Sequence, residues 1–229
     1  MGREKKYEID MCTGKIFPKL IQFAVPLMLS SLLQLLFNAA DIVVVGRFGS
    51  EHSLAAVGST TALINIMINL CVGVSVGSTV LASQYIGSMK KKELSKVVHT
   101  SIALSLIMGT IFTIISVSFA RQILILMQTP LEVVELSAKY VRIYFCGLIG
   151  LSIYNFGTAI LRAKGDTQRP LYILMLTGGV NVILNLVFVI GLKMDVAGVA
   201  LATLTSQYLS AIIVILLLVR EKGDIKLHF

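Results

Sequence analysis

One carboxylate interrupts a long apolar stretch near the amino terminus of this chain of 229 residues. Asp41 is the only acidic residue in residues 20–46, and Gln34 and Asn38 precede it at steps of four and three, which places all three on one helix face. A carboxylate at membrane depth is costly unless it faces a bundle interior or a water-filled cavity. The chemistry that this pattern predicts is reversible binding of a proton or a small cation on a transport path.

Polar side chains recur at helical spacing in the next apolar stretch. Thr61, Asn65 and Asn69 follow one another at steps of four, which stacks them on a second interior face. Together with Gln34 and Asn38 they are our candidates for a substrate path.

Three further side chains are predicted to meet Asp41. Counted inward from the outer ends of their helices, Asp41, Asn185 and Thr203 each lie roughly 7–11 Å deep, at a rise of about 1.5 Å per residue. Asn181 lies about one turn deeper. A shared site in the outer half of the membrane is our expectation, although Asn and Thr also serve as separate packing contacts between membrane helices.

The elements that must position these side chains are membrane helices. The chain is 56% hydrophobic and 14% charged, with a mean hydropathy of +0.87, and a soluble domain needs more surface charge than that. Continuous apolar runs, without the alternation of a barrel wall, predict an all-α protein with six transmembrane helices. These helices are expected at about 16–46, 53–87, 97–126, 136–160, 170–192 and 196–219.

The net charge of +8 indicates orientation and not a nucleic-acid partner. Lysine and arginine cluster before the first helix, in alternate loops and after the sixth helix, which is the positive-inside pattern. We therefore expect a multi-pass protein of the plasma membrane with both termini in the cytoplasm. Residues 1–15 form a cytoplasmic segment, residues 16–219 the helical lobe, and residues 220–229 a cytoplasmic tail or the start of a linker.

Pro26 lies about four turns before Asp41 in the first helix. A proline inside a helix removes a backbone hydrogen bond, so Pro26 predicts either a static kink or a moving hinge.

Several motifs in order along the chain resemble the multidrug and toxic compound extrusion (MATE) family. They are Pro26 with Asp41-x4-Gly46, the loop LRAKGDTQRP at 161–170, Asn181-x3-Asn185, and GVALAT at 198–203. The resemblance covers essentially the whole chain and is closest to the bacterial and archaeal branch that exports cationic drugs.

The resemblance implies an antiporter that uses a proton or sodium gradient to expel organic cations across the plasma membrane. It also implies that Pro26, Asp41, Asn181, Asn185 and Thr203 belong to the coupling site and hinge of an amino-terminal lobe. Carboxylate, amide and hydroxyl oxygens suit Na⁺, and the same groups can serve a proton site with water. No cofactor is expected besides the coupling ion.

The chain departs from the family pattern in two ways. Some members carry a carboxylate at the position of Asn185, so here Asp41 is the only titratable group of the cluster. The family has twelve helices in two lobes, whereas one lobe is predicted here. Two explanations of the single lobe remain open. The chain is a truncated or split gene product, or it is a half-transporter that pairs with itself or with a second lobe.

Two other functions remain as alternatives. One is a flippase for lipid-linked oligosaccharides from the same superfamily, which should have a strongly cationic cavity. The other is an inactive membrane subunit. An intramembrane enzyme is not expected, because the sequence has neither a G-x-G-D aspartyl pair nor an H-E-x-x-H motif. The expected partners are membrane lipid and an organic cation, without nucleic acid.

Overall fold

The described part of the protein is a bundle of helices without a strand. A computed structural model describes residues 7–9, 14–50, 52–221 and 225–227, so parts of the predicted segments 1–15 and 220–229 lie outside the described residues. The helices are α1 Ile16–Phe48, α2 Ser53–Gly87, α3 Lys91–Leu126, α4 Leu131–Phe145, α5 Leu148–Ala163, α6 Gln168–Asn185 and α7 Asp195–Arg220. A π-helical turn, Leu186–Gly191, continues α6.

The predicted number of membrane spans is confirmed with one difference in architecture. Helices α1, α2, α3, α7 and α6 with its π-helical turn are each long and apolar enough to cross a membrane. The fourth span, expected at 136–160, consists of α4 and α5, which meet at an angle of 44°. Helix α3 begins at Lys91 and not at residue 97, because its charged first turn is helical although it is not apolar. The fourth span begins at Leu131, five residues earlier than expected, and ends at Ala163, three residues later. The remaining bounds differ from the expected ones by at most two residues.

The break between α4 and α5 is stabilised by hydroxyl groups of neighbouring helices. Thr113 donates a hydrogen bond to the carbonyl of Phe145 (2.9 Å), and Tyr208 donates one to the carbonyl of Cys146 (2.9 Å). Backbone carbonyls that lose their helical partner inside a membrane must find another donor. Apolar periodicity does not reveal such a break, because the donors lie far away in the sequence.

Two apolar clusters occupy the two ends of the bundle. We call the end that holds the α1–α2 connection the outer end, and the end that holds residues 7–9 and 225–227 the inner end. The outer cluster joins α1, α2, α3, α4 and α7 and contains buried Val45, Leu124 and Val196. The inner cluster joins α2, α3, α5, α6 and α7 and contains Val98 and Leu218.

Helix α1 is the most loosely packed of the long helices. Its most apolar stretch has no buried residue, and the whole helix buries only Pro26, Val44 and Val45. It packs chiefly against α6. Its apolar surface therefore faces lipid or another protein, and few packing contacts oppose its reorientation.

Candidate ion-binding site

The structure brings Asp41 together with the side chains that sequence spacing placed at a similar depth. Helix α1 supplies Asp41, α6 supplies Asn181 and Asn185, and α7 supplies Thr203. The Asn185 amide nitrogen donates to Asp41 Oδ1 at 2.5 Å and to Asn181 Oδ1 at 3.2 Å. Asn181 and Asn185 are both buried, so these hydrogen bonds are made away from bulk solvent.

The amide of Asn181 contacts Thr203 whichever way its oxygen and nitrogen are assigned. With the oxygen toward Asn185, the nitrogen donates to Thr203 Oγ1 at 3.3 Å. With the nitrogen toward Asp41, it donates to Asp41 Oδ1 at 2.9 Å, and the oxygen accepts from Thr203 Oγ1 at 3.3 Å. Asn181 therefore joins α6 to α7 beside Asp41 in both cases.

The oxygen atoms of the cluster fit a hard monovalent cation. Asn185 Oδ1 is buried and has no hydrogen-bond partner among the described residues. An orphaned buried carbonyl oxygen is costly, and a cation bound between it and the Asp41 carboxylate would satisfy it. Asp41, Asn181, Asn185 and Thr203 are the residues that would hold Na⁺, and the same carboxylate can instead take a proton.

The π-helical turn begins directly after Asn185. Such turns are rare, and they occur often at functional sites because they shift the register of the helix that follows. Here Met194 N–H donates to the carbonyl of Phe188 at 2.9 Å and closes the connection to α7. The turn thus sets the angle at which α6 leaves the site, a feature that apolar periodicity did not reveal.

A cavity of about 380 Å³ adjoins the cluster. Four of the five predicted substrate-path residues line it, together with the site residues Asp41, Asn181 and Thr203. Those four are Gln34, Asn38, Asn65 and Asn69. Thr61 is the exception, and its hydroxyl donates to the carbonyl of Val57 in its own helix at 3.3 Å.

The cavity also has aromatic walls that sequence spacing did not assign to it. Phe37, Tyr144 and Tyr154 line it, and so does Gln207. Gln207 follows Thr203 by four residues, so helical spacing could have included it. Tyr144 lies four residues after Tyr140, with ring centroids 5.9 Å apart, but only the bend after α4 reveals which way this pair faces. Among the described residues, no lysine or arginine lines the cavity.

Pro26 is buried within α1, which runs through it as one continuous helix. Its carbonyl accepts a hydrogen bond from the Ser30 hydroxyl at 2.8 Å. The donor that proline removes would have bonded to the carbonyl of Gln22, so the Ser30 bond lies in the turn that follows the weakened one. The structure shows α1 in one geometry, and a hinge at Pro26 stays a prediction.

Comparison with known proteins gives one consistent result. The MatE family model matches residues 26–187. Over 208 residues, the chain is 31% identical to a Bacillus subtilis (strain 168) protein named "Probable multidrug resistance protein YoeA", a match that covers 89% of this chain and 45% of that protein.

Solved structures agree with the sequence matches. An outward-facing multidrug resistance MATE family transporter of the MOP superfamily is 29% identical, with a TM-score of 0.86 over 92% of this chain and 47% of that one. A MATE crystal structure in the bent conformation is 30% identical, with a TM-score of 0.82 over 87% of this chain and 44% of that one. The chain thus spans about half the length of the relatives it matches.

Proposed function

The chain belongs to the multidrug and toxic compound extrusion (MatE) family of multi-pass membrane transporters, and we propose that it forms the ion-coupled six-helix lobe of an antiporter that exports organic cations. The observation that carries this proposal is the cluster of Asp41, Asn181, Asn185 and Thr203, of which all but Asn185 line a polar and aromatic cavity. These matches indicate a family of transporters and not a family of enzymes.

The first step is competition for one negative charge. Asp41 is the only carboxylate that lines the cavity among the described residues, so it can neutralise one monovalent cation at a time. When a proton or Na⁺ occupies the site, a substrate cation in the cavity loses its counter-charge. Binding of the coupling ion and of the substrate is therefore mutually unfavourable, as antiport requires.

The second step is a conformational change of α1, whose equilibrium shifts when the coupling ion binds. Ionised Asp41 accepts hydrogen bonds from amides on α6, which hold α1 against that helix. Neutralised Asp41 accepts these bonds less strongly, because charge-assisted hydrogen bonds are the stronger ones. Helix α1 then bends at Pro26, and the substrate is released outward. The ion needs only a differential affinity for the two shapes.

Both H⁺ and Na⁺ remain candidates for the coupling ion. The orphaned Asn185 Oδ1 supports Na⁺, because it supplies a neutral oxygen ligand next to the carboxylate. The Asp41 carboxylate supports H⁺, because it is the one carboxylate that lines the cavity among the described residues and can take up a proton. Two conditions distinguish these ions. Export driven by a Na⁺ gradient without a pH gradient indicates Na⁺, and export driven by a pH gradient without a Na⁺ gradient indicates H⁺.

A second six-helix lobe is proposed to complete the substrate path. The loose packing and exposed apolar surface of α1 support this. A second support is that four polar side chains line the cavity and yet are exposed, namely those of Gln34, Asn38, Asn65 and Asn69. The second lobe can belong to the same polypeptide, to a separate chain or to a second copy. Both termini are proposed to face the cytoplasm, in line with the distribution of lysine and arginine.

The test is export of a fluorescent organic cation from everted membrane vesicles that contain the chain as it is expressed. Asp41→Asn should abolish ion-driven export while membrane insertion is unchanged. Glu132→Gln is the matched control, because Glu132 is an exposed carboxylate in the first turn of α4 and does not line the cavity. Equal ion-driven export by the Asp41→Asn variant and the unaltered chain would refute the proposal.

A further inference from the structure

A cluster of ion pairs at the inner end lies outside the proposed transport site. We call it the inner clasp and define it by Glu8, Lys164, Asp166, Arg169 and Glu221. Lys164 Nζ lies 2.6 Å from Glu8 Oε1 and 2.7 Å from Glu221 Oε1, and Arg169 Nη1 lies 2.6 Å from Glu221 Oε2. Asp166 pairs with Arg169 as well. Asp166 and Glu221 are buried, so the clasp is a built structure and not a solvated charge pattern.

The clasp joins three parts of the chain that are far apart in sequence. Besides the ion pairs, Ile9 N–H donates to the carbonyl of Gly165 at 3.2 Å, and Leu227 N–H donates to the carbonyl of Leu218 at 3.1 Å. Ile225 and Leu227 are buried in the inner cluster. Residues 225–227 therefore pack back onto the bundle, and Glu221 is paired with two cations at the α5–α6 connection.

Gly165 shows how close these segments come. It has a φ of +87°, and a Cβ added to it would lie 3.2 Å from the backbone nitrogen of Ile9 and closer still to its carbonyl oxygen. A side chain at this position would push residues 7–9 away from the α5–α6 connection.

The same clasp forms one end of a polar ladder between α6 and α7. These two helices run antiparallel, and three polar contacts join them in order along their length. Arg169 binds Glu221 at the inner end, Thr177 accepts from the Ser210 hydroxyl at 2.9 Å, and Asn181 contacts Thr203 at 3.3 Å. The last of these contacts belongs to the candidate ion site.

We propose that Glu221 is a positioning residue that fixes the axial register of α7 against α6 and thereby holds Thr203 opposite Asn181 beside Asp41. The significance of this role for transport rests on the proposed function. Hydroxyl and amide contacts can re-form after a shift of one helical turn, about 5.4 Å, since small polar groups recur along both helices. The ion pairs cannot, because such a shift would take the buried Glu221 carboxylate away from both Lys164 and Arg169 and leave its charge without a partner.

The charge state of the clasp supports this role. Burial raises the pKa of Glu221, but hydrogen bonds from Arg169 and Lys164 outweigh it and keep this pKa below its ordinary value of 4.5. Glu221 is thus ionised at neutral pH, and the contact is a charged one.

Disulfide crosslinking measures the register directly. In a chain whose native cysteines are replaced by serine, Thr177→Cys is combined with a second cysteine at residue 210 or, one turn away, at residue 206 or 214. We expect the 177–210 crosslink to dominate when Glu221 is present. With Glu221→Gln, the 177–210 yield should fall and the yield at a neighbouring turn should rise.

Three further variants separate register from general stability. Glu93→Gln removes an ion pair with Lys96 on the exposed surface of α3 and should leave the crosslinking pattern unchanged. Arg169→Lys keeps the charge and should keep the 177–210 preference, whereas Arg169→Met should lose it. An unaltered pattern in Glu221→Gln or in Arg169→Met would overturn the proposal.

Failure of this inference can be distinguished from failure of the proposed function. Crosslinking needs neither the coupling ion nor a substrate, so it reports register even in a chain that does not transport. Undiminished export by Asp41→Asn would refute the proposed function and leave the register result valid. A normal crosslinking pattern in Glu221→Gln would refute the positioning role and leave ion-coupled export valid.

Discussion

Removal of the charge at Asp41 should eliminate ion-driven accumulation without unfolding the site. Asp41→Asn preserves the size of the side chain, and its amide oxygen can still accept from the Asn185 nitrogen that contacts Asp41 Oδ1 at 2.5 Å. What it loses is the negative charge that binds a proton or Na⁺. We therefore expect an inserted, folded protein that equilibrates its substrate without concentrating it.

The expected magnitude follows from the single carboxylate of the site. If one proton is exchanged for one substrate cation, no net charge crosses the membrane. The driving force is then the pH difference alone, about 1.4 kcal/mol per unit, which sustains roughly a tenfold substrate gradient. A membrane potential of ~100 mV would add about 2.3 kcal/mol for each net charge moved, or roughly a fiftyfold gradient. A site with one carboxylate should therefore give a tenfold substrate gradient per pH unit, and this gradient should not depend on the membrane potential.

The assay is accumulation of a fluorescent organic cation in liposomes, with the pH or Na⁺ gradient and the potential imposed independently. The unaltered chain should give a tenfold gradient for each tenfold ion gradient, at zero potential and at 100 mV alike. Asp41→Asn should give no gradient under either condition. A voltage-dependent gradient from the unaltered chain would refute the one-carboxylate argument, and persistent accumulation by Asp41→Asn would refute the role of Asp41.

The other predictions concern the neighbours of this site and the packing of the bundle. Asn185→Asp adds a second carboxylate and should make accumulation respond to voltage, by roughly fiftyfold per ~100 mV in the liposome assay if one extra proton is exchanged. Pro26→Ala restores a backbone donor and should slow the initial rate of export while the dependence on ion concentration is retained, as measured in everted vesicles. Glu221→Gln should lower the free energy of unfolding by about 1.5–3 kcal/mol at pH 7, because it weakens the charge-assisted hydrogen bonds from Lys164 and Arg169, each of which keeps one other carboxylate partner. This difference should shrink as the pH falls below 4.5, since a carboxylate whose folded pKa is lowered stabilises the fold only while it is ionised. Gly150→Ala should destabilise the bundle by about 1–3 kcal/mol, because its Cβ would lie 3.0 Å from the backbone of α7. Gly73→Ala, which has open space around the added atom, is its control in thermal unfolding.

Composition and spacing were sufficient for the class of protein and for grouping the side chains of the candidate ion site. Apolar length predicts membrane spans because a bilayer needs about 20 apolar residues per helix. Helical rise predicts depth, which is why Asp41, Asn181, Asn185 and Thr203 could be grouped before any contact was known. These properties are local or additive along one helix, so the sequence alone determines them.

Contacts between distant parts of the chain could be decided only by the tertiary structure. The break after Phe145 depends on hydroxyls of Thr113 and Tyr208, and the direction in which Tyr144 faces depends on that break. Thr61 shares its helical spacing with Asn65 and Asn69, yet it does not line the cavity, because the neighbours of a helix decide which part of a polar stripe lines an interior. The inner clasp is likewise invisible in the sequence, since Glu8, Lys164 and Glu221 become partners only after three separate segments meet. Sequence fixes depth along each helix, whereas rotation, bending and register depend on what each helix packs against.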